Sequence, residues 1–354
     1  MSLTAPAHVG SRRTDRGPDA PLVSPRQQLD RPIRVAAINN PLSGSNRRSG
    51  LDETVRILDG AGVPHREADR FEDLVAIAAE LSAARTELLI VNGGDGTMQA
   101  VLTGLLGGPE DAPLPLIAVL PGGTTNTTAR NVGYATGRRE ILPSLLAEAA
   151  AGRLEGRMEV RPAVRVDRGA SAPPRFAMFF GAGAVYHGIR FAKRSIESRG
   201  MRGPLGAGIS LAVILAKLMA GRAREYFPPL RARVWVDGKL LETDQFLALF
   251  CSTMDKQFLG LSPYWGQGPG PLRFTTLGHA PQRAWRAAIP VMRGRPNRHV
   301  RPEHGYLSHN SYQIELSIDS GFTLDGELFE ADPDTRIVLS APRNAFYLRP
   351  DLSP

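Results

Sequence analysis

One strand running into a glycine turn limits this chain's fold more than any other feature. Glu87-Leu88-Leu89-Ile90-Val91 reads as a buried strand and continues through Asn92 into Gly93-Gly94-Asp95-Gly96-Thr97, with helical spacing from Met98. Glycine lets the backbone turn sharply and approach a ligand closely. A helix start behind such a turn offers unpaired N–H groups and partial positive charge, which favour phosphate. Asp95 is the one anionic side chain in the turn, suited to a magnesium ion or a hydroxyl. The same residues would also serve as a plain strand–helix turn, and one short motif does not separate the two readings.

The unit recurs on either side. Residues 34–38, Arg-Val-Ala-Ala-Ile, enter Asn39-Asn40-Pro41-Leu42-Ser43-Gly44, a run of turn formers. Leu116-Ile117-Ala118-Val119-Leu120 enter Pro121-Gly122-Gly123-Thr124-Thr125-Asn126. Helical spacing joins Leu51, Val55 and Leu58, then Phe71, Leu74, Val75, Ala78 and Leu81, then Val101, Leu102 and Leu105. Nearly all-apolar strands alternating with helices predict a parallel sheet covered on both faces. Ligands of such sheets bind outside the carboxyl ends of the strands, so the three turns are expected to line one crevice. A helix over 139–151 closes this domain. Residues 158–166 then alternate, as an antiparallel strand does. Further strands are expected at 176–180, 232–236, 246–251, 272–276, 312–318, 322–329 and 336–339, with helices near 184–197, 206–220 and 281–292. This predicts a mostly β second domain.

A length of 354 residues suits about two domains. The single cysteine, Cys251, excludes an internal disulfide framework, suits a reducing compartment and sits in a core strand pattern. A formal net charge of +8 favours acidic partners: phosphates, an anionic membrane surface or nucleic acid. No interleaved aromatic motif accompanies the charge, so no nucleic-acid partner is expected. No apolar run reaches the roughly 18–20 residues of a spanning helix, and no signal pattern opens the chain. A cytoplasmic location, soluble or peripheral to a membrane, is expected. Residues 1–30 hold few large apolar side chains and read as a disordered tail. His187, His299 and His304 lack metal-ligand spacing, and no resident metal site is expected.

Taken together, the motifs resemble those of the diacylglycerol kinase catalytic family, whose members include bacterial lipid kinases, sphingosine kinases and ceramide kinases. Asn40-Pro41-Leu42-Ser43-Gly44 is similar to its first nucleotide loop. Gly93-Gly94-Asp95-Gly96-Thr97 matches its central motif, Pro121-Gly122-Gly123-Thr124-Thr125-Asn126 is similar to its third loop, and Asp325-Gly326-Glu327 resembles its C-terminal motif. Gly203-Pro204-Leu205 before an apolar helix resembles a further segment. The resemblance spans about residues 33–350. The central motif also occurs in NAD kinases and phosphofructokinases; the third loop favours the lipid-kinase form.

The resemblance implies an α/β fold of two domains. A parallel-sheet nucleotide-binding domain, NAD kinase/phosphofructokinase-like, would occupy residues 31–155. A β-sandwich lipid-binding domain carrying the base would occupy 156–354, its last strand returning to the first domain. It implies transfer of the γ-phosphoryl group of ATP, with Mg2+, to a hydroxyl of a diacylglycerol-like lipid, ceramide or a sphingoid base being the second choice. Asn40, Ser43, Gly44, Gly93, Gly94, Asp95, Gly96, Thr97, Gly123, Thr124 and Asn126 would bind the nucleotide. Glu327 would be the general base, aided by Asp95 and by Asp325, which on an extended segment would point the same way as Glu327. Taken alone, Asp325-Gly326-Glu327 also reads as a hairpin turn.

Two departures stand out. Thr127 occupies a position that is Asp in many members, and residues 268–273 offer no carboxylate where a structural magnesium site is often found. They motivate an alternative: a nucleotide- and lipid-binding regulator of the same fold with weak catalysis. On the lipid side, residues 205–216 are apolar around most of a helix. Phe258, Leu259, Leu261, Tyr264 and Trp265 lie in a Gly/Pro-rich stretch, and Arg293, Arg295, Arg298 and Arg301 form a basic run suited to an anionic membrane surface.

Overall fold

The computed structural model describes residues 21–46, 50–123, 126–134, 138–199, 228–257 and 260–350. The first half of the chain runs β1 (Val35–Asn39), α1 (Gly50–Gly60), β2 (His65–Glu67), α2 (Phe71–Ala83), β3 (Leu88–Gly93), α3 (Asp95–Leu106), β4 (Leu116–Pro121), α4 (Thr127–Asn131), α5 (Arg138–Ala150) and β5 (Arg157–Pro162). It continues with β6 (Val164–Asp167), β7 (Arg175–Ala177), β8 (Phe179–Gly183), α6 (Ala184–Arg199), β9 (Leu230–Val236), β10 (Lys239–Leu240), β11 (Gln245–Ser252) and β12 (Leu272–Gly278). The last elements are α7 (Ala284–Met292), β13 (Tyr306–Ser311), β14 (Gln313–Ile318), β15 (Phe322–Leu324), β16 (Glu327–Phe329), β17 (Ile337–Ser340) and β18 (Asn344–Arg349).

The first sheet has the order β2-β1-β3-β4-β18-β5, parallel except for β5 at its edge. Every residue of β3 is buried, as a strand covered on both faces requires. The chain leaves β1 to one side for β2 and returns to the other side for β3. That reversal opens a crevice at the carboxyl ends of β1 and β3, where ligands of such sheets bind. α3 fills the layer above, with nine of its residues buried. It packs so closely on α2 that a Cβ on Gly104 would stand 2.3 Å from the Val75 carbonyl oxygen.

The second sheet has twelve antiparallel strands and curls, so that side chains of β6, β9, β14 and β17 share one core with those of β8, β11, β12 and β15. The β-sandwich expectation gives way here to one continuous sheet. β9 and β11 pair at Arg231↔Gln245 and Leu230↔Phe246, which joins the two halves.

Three boundaries differ from the sequence reading. The expected tail of residues 1–30 is already packed at residue 21. Pro21 bridges Leu114, Val23 is buried, and Leu29 N–H donates to Gly152. Arg31 then pairs bidentately with the buried Glu87, whose carboxyl is held below the usual carboxylate range chiefly by that contact. Few apolar side chains suffice because each is covered. Second, residues 158–166 split at Ala163: β5 joins the first sheet and β6 the second, so the boundary expected at 155 moves past β5. Third, the strand expected over 322–329 is broken by a turn at Asp325 and Gly326. β13 went unforeseen, and the helix expected over 206–220, with Gly203-Pro204-Leu205, lies outside the described residues. No helix among the described residues is long and apolar enough to cross a membrane.

Candidate active site

The three turns meet at the carboxyl ends of β1, β3 and β4. Asn40 N–H donates to Asn92, Gly122 N–H to Gly93, and Ser45 N–H to Gly122, all on backbone oxygens. The glycines are required by this contact. A Cβ on Gly94 would stand 2.9 Å from Gly123 Cα, and one on Gly123 only 2.5 Å from Gly94 Cα. Two backbones touch, so neither position has room for a side chain.

Side chains then tie the first turn to the head of α3. Asn40 Nδ2 donates to Thr97 Oγ1 at 2.9 Å, and Gly94 N–H donates to Ser43 Oγ at 3.3 Å. Asn126, in the left-handed region at φ 49, closes the third turn on itself: its Oδ1 accepts Gly123 N–H at 2.7 Å and its Nδ2 donates to Gly123 O at 2.9 Å. Asp95 Oδ2 and Oδ1 accept Thr127 N–H at 3.1 Å and Thr128 N–H at 2.9 Å. The central turn thereby grips the first turn of α4. Gly96 and Thr97, in the first turn of α3, have N–H groups without an acceptor among the described residues. That is where the helix carries its partial positive charge.

The second domain delivers Glu327 to this point. A Cβ on Gly96 would stand 3.7 Å from Glu327 Oε1. β15 and β16 form a two-residue hairpin in which Leu324 pairs with Glu327. Asp325 and Gly326, at φ 48 and 92, fill the turn. Asp-Gly with both residues at positive φ makes the hairpin turn whose twist matches the flanking strands. The turn also corrects one expectation, because it breaks the alternation that would have aimed Asp325 and Glu327 alike. The Asp325 carboxylate folds back and accepts Met178 N–H at 3.0 Å and Phe179 N–H at 2.9 Å. It pins the hairpin to β8, while Glu327 is left exposed and pairs with Lys193 of α6, Nζ to Oε2 at 3.2 Å.

Burial, against the pull of those N–H donors and with the Asp95 charge adding to it, pushes the Asp325 carboxyl up to about 8. A carboxyl raised above its unfolded value, about 3.9, binds its proton more tightly in the folded state. Stability is therefore full below that value and is lost as pH rises toward 8. The urea midpoint is expected to fall over this range, and Asp325→Asn, which also tolerates positive φ, to flatten the fall. Equal pH slopes in both proteins would refute the assignment.

The sequence reading thus finds Asn40, Ser43, Gly93, Gly94, Asp95, Gly96, Thr97, Gly123, Asn126 and Glu327 brought together. Gly44 is exposed on the first turn, and Thr124 lies outside the described residues. It missed Asn46, whose Nδ2 donates to Asn40 O at 2.7 Å, and Lys193, which no motif marks. It also missed Arg175, whose guanidinium lies 3.8 Å from the Phe71 ring centre and 5.0 Å from that of Phe329, across the two domains. Pairing aromatic rings with a cation at that separation in sequence leaves no local signal. In the carboxylate-poor 268–273 stretch, Arg273 pairs instead with Asp255, which also holds Arg161 at 2.6 Å. An open apolar cavity of 830 Å³ lies between α1 and α5, lined in part by Val35, Ile57, Leu81 and Leu146, at the amino ends of the strands and opposite the glycine turns.

Among known proteins, the family model for the diacylglycerol kinase catalytic domain matches residues 34–154. Sequence comparison with curated proteins finds no match. A diacylglycerol kinase structure from Bacillus anthracis str. Sterne superposes with TM-score 0.58 at 16% identity, covering 92% of this chain and 99% of its own. Two further structures from that organism, provisionally named diacylglycerol kinases, give TM-scores of 0.60 and 0.61 at 17% and 16% identity. They cover 91% and 90% of this chain and 97% and 98% of their own. At these identities the superpositions speak for the fold, and the motif-bearing match speaks for the sequence. The three turns lie within that match, and the family-model match together with the superposed folds supports a diacylglycerol kinase catalytic domain over residues 34–154.

Proposed function

We propose that the chain is an ATP-dependent lipid kinase that moves the γ-phosphoryl group of ATP to a hydroxyl of a diacylglycerol-like lipid, with ceramide or a sphingoid base as the second acceptor class. The observation that carries this is the carboxylate of Glu327, from the second domain, standing over the first turn of α3. Phosphoryl transfer needs positioning and charge neutralisation more than covalent help. The N–H groups of Gly96 and Thr97 suit phosphate oxygens. Asn40, Ser43, Gly44, Gly93, Gly94, Gly123, Thr124 and Asn126 would shape the nucleotide side. The Asp95 carboxylate stands at the head of α3 between the central and third turns, and as a hard oxygen donor it would suit the Mg2+ that accompanies ATP. That ion would neutralise charge on the β- and γ-phosphates.

In the reaction the lipid hydroxyl oxygen bonds to the γ-phosphorus while its proton passes to Glu327. The bond from the γ-phosphorus to the β–γ bridging oxygen breaks, and ADP leaves with that electron pair. Asp325 holds the hairpin that presents Glu327 rather than meeting the substrate. A peripheral position at the cytoplasmic face of a membrane would give the enzyme its acceptor.

The test is incubation of the purified chain with γ-labelled ATP, magnesium and a panel of dispersed lipids. Label recovered in diacylglycerol phosphate is expected. Label in ceramide or a sphingoid base would retain the kinase and change the acceptor. ATP binding with no transfer to any lipid would replace the kinase with the regulator.

A further inference from the structure

α7 carries an apolar stripe that stays largely exposed among the described residues, with the Arg286 guanidinium 4.5 Å from the Trp285 ring centre. Its inner face, Ala287 and Val291, packs on Val300, Tyr306 and Trp265. On the outer face Trp285 and Ile289, one turn apart, are 61% and 57% exposed. Pro290 cannot donate to the Arg286 carbonyl one turn back. Asn297 Nδ2 donates to that oxygen instead, at 3.3 Å, folding the segment after α7 alongside the helix. The stripe is therefore held in place and backed by a packed core.

Arginines surround it. Arg283, Arg286, Arg293, Arg295, Arg298 and Arg301 are all exposed, and the chain has no carboxylate from Lys256 to Pro302. Arg301 lies 3.7 Å from Glu303; the other five form no ion pair among the described residues. The buried His299 sits among them, its Nδ1 3.2 Å from Arg283 Nη1 and its Nε2 accepting from Arg298 Nε at 3.4 Å. Burial and the fields of Arg283, Arg298 and Arg286 hold its imidazole below the usual value, as a strongly positive neighbourhood would.

We infer that α7 and the arginines around it dock the protein on an anionic lipid bilayer, with Trp285 and Ile289 entering the interface and the guanidinium groups resting on phosphate head groups. Charge complementarity selects an anionic partner. The branched aliphatic Ile289 beside Trp285 selects a bilayer over nucleic acid, since it offers no stacking face to a base, whereas an aromatic–aliphatic stripe with flanking cations matches an interfacial helix. The loop between β11 and β12 links this surface to the site. Ser262 N–H donates to Met292 O at the end of α7, and Lys256 O accepts Asn131 Nδ2 at 2.8 Å beside the third turn.

The test is co-sedimentation of the full chain with vesicles, without ATP, so its result does not depend on the kinase reading. The probes are phosphatidylcholine vesicles containing phosphatidylglycerol, pure phosphatidylcholine vesicles and a single-stranded oligonucleotide. Salt-sensitive binding to the anionic vesicles is expected, with little to the neutral ones. Trp285→Ser with Ile289→Ser should weaken it roughly tenfold or more, and Arg286→Glu with Arg293→Glu should do the same. Both pairs change exposed side chains only, and matching circular dichroism spectra would exclude misfolding. Binding unchanged in both double variants would overturn the inference. So would oligonucleotide binding without vesicle binding, or a concentration-dependent dimer lost on substitution of Trp285 and Ile289 in a protein that ignores vesicles.

Discussion

Glu327→Gln is expected to slow phosphoryl transfer at least about a hundredfold, the lower bound for losing a general base. Glutamine keeps the shape and the hydrogen-bonding reach but cannot take the hydroxyl proton. ATP affinity should stay near that of the parent, because Glu327 comes from the second domain and the nucleotide turns come from the first. Stability should hold as well. The ion pair to Lys193 is exposed at both ends, and such pairs contribute little. Fluorescent-nucleotide titration and a single-turnover transfer assay separate the two quantities. Turnover retained in Glu327→Gln would remove the residue from the base role, and lost ATP affinity would make it part of the nucleotide site instead.

Gly123→Ala is the second large effect. Its new Cβ would meet Gly94 Cα at 2.5 Å and Asn126 Oδ1 at 3.0 Å, and the nearer neighbour is backbone. The central and third turns would have to part. A misplacement of about 1 Å can cost on the order of a hundredfold where phosphate positioning drives the reaction, so ATP affinity and turnover should both fall on about that scale. The fold should survive, because the core of the first sheet lies beneath these turns. Gly60→Ala is the control: a Cβ there meets nothing within 4 Å. If the Gly123 variant bound and turned over ATP like the control, the turns would not be the nucleotide platform.

How much of this was legible in the sequence depends on distance along the chain. β1, β3 and β4 announce themselves as apolar runs entering glycine turns, because strands covered on both faces leave no polar side to mark. Their assembly at one crevice follows from parallel topology. The Asp-Gly pair was legible as a turn, and it is one. What the sequence hid was that this turn swings Asp325 back onto β8 and leaves Glu327 alone at the site. Lys193, Arg175 and the outer face of α7 were hidden for a related reason. A cation held between rings of the two domains, an ion pair between residues far apart in the chain, or a stripe of two apolar residues on a short helix, is set by which surfaces meet or fail to meet, and no local period records that. The split of residues 158–166 between two sheets belongs here as well. Alternation tells which side of a strand is buried and says nothing about which sheet receives it.

The central claim is that the Asp325–Glu327 hairpin of the second domain stands over the head of α3. A paired-cysteine variant, Gly96→Cys with Glu327→Cys, addresses it without any substrate, since the native Cys251 is buried. Rapid intramolecular linkage by a short bifunctional thiol reagent, with a matching loss of free thiols, is expected. Two freely titrating thiols that never link, in a protein with an unchanged circular dichroism spectrum, would contradict the arrangement on which the proposed chemistry stands.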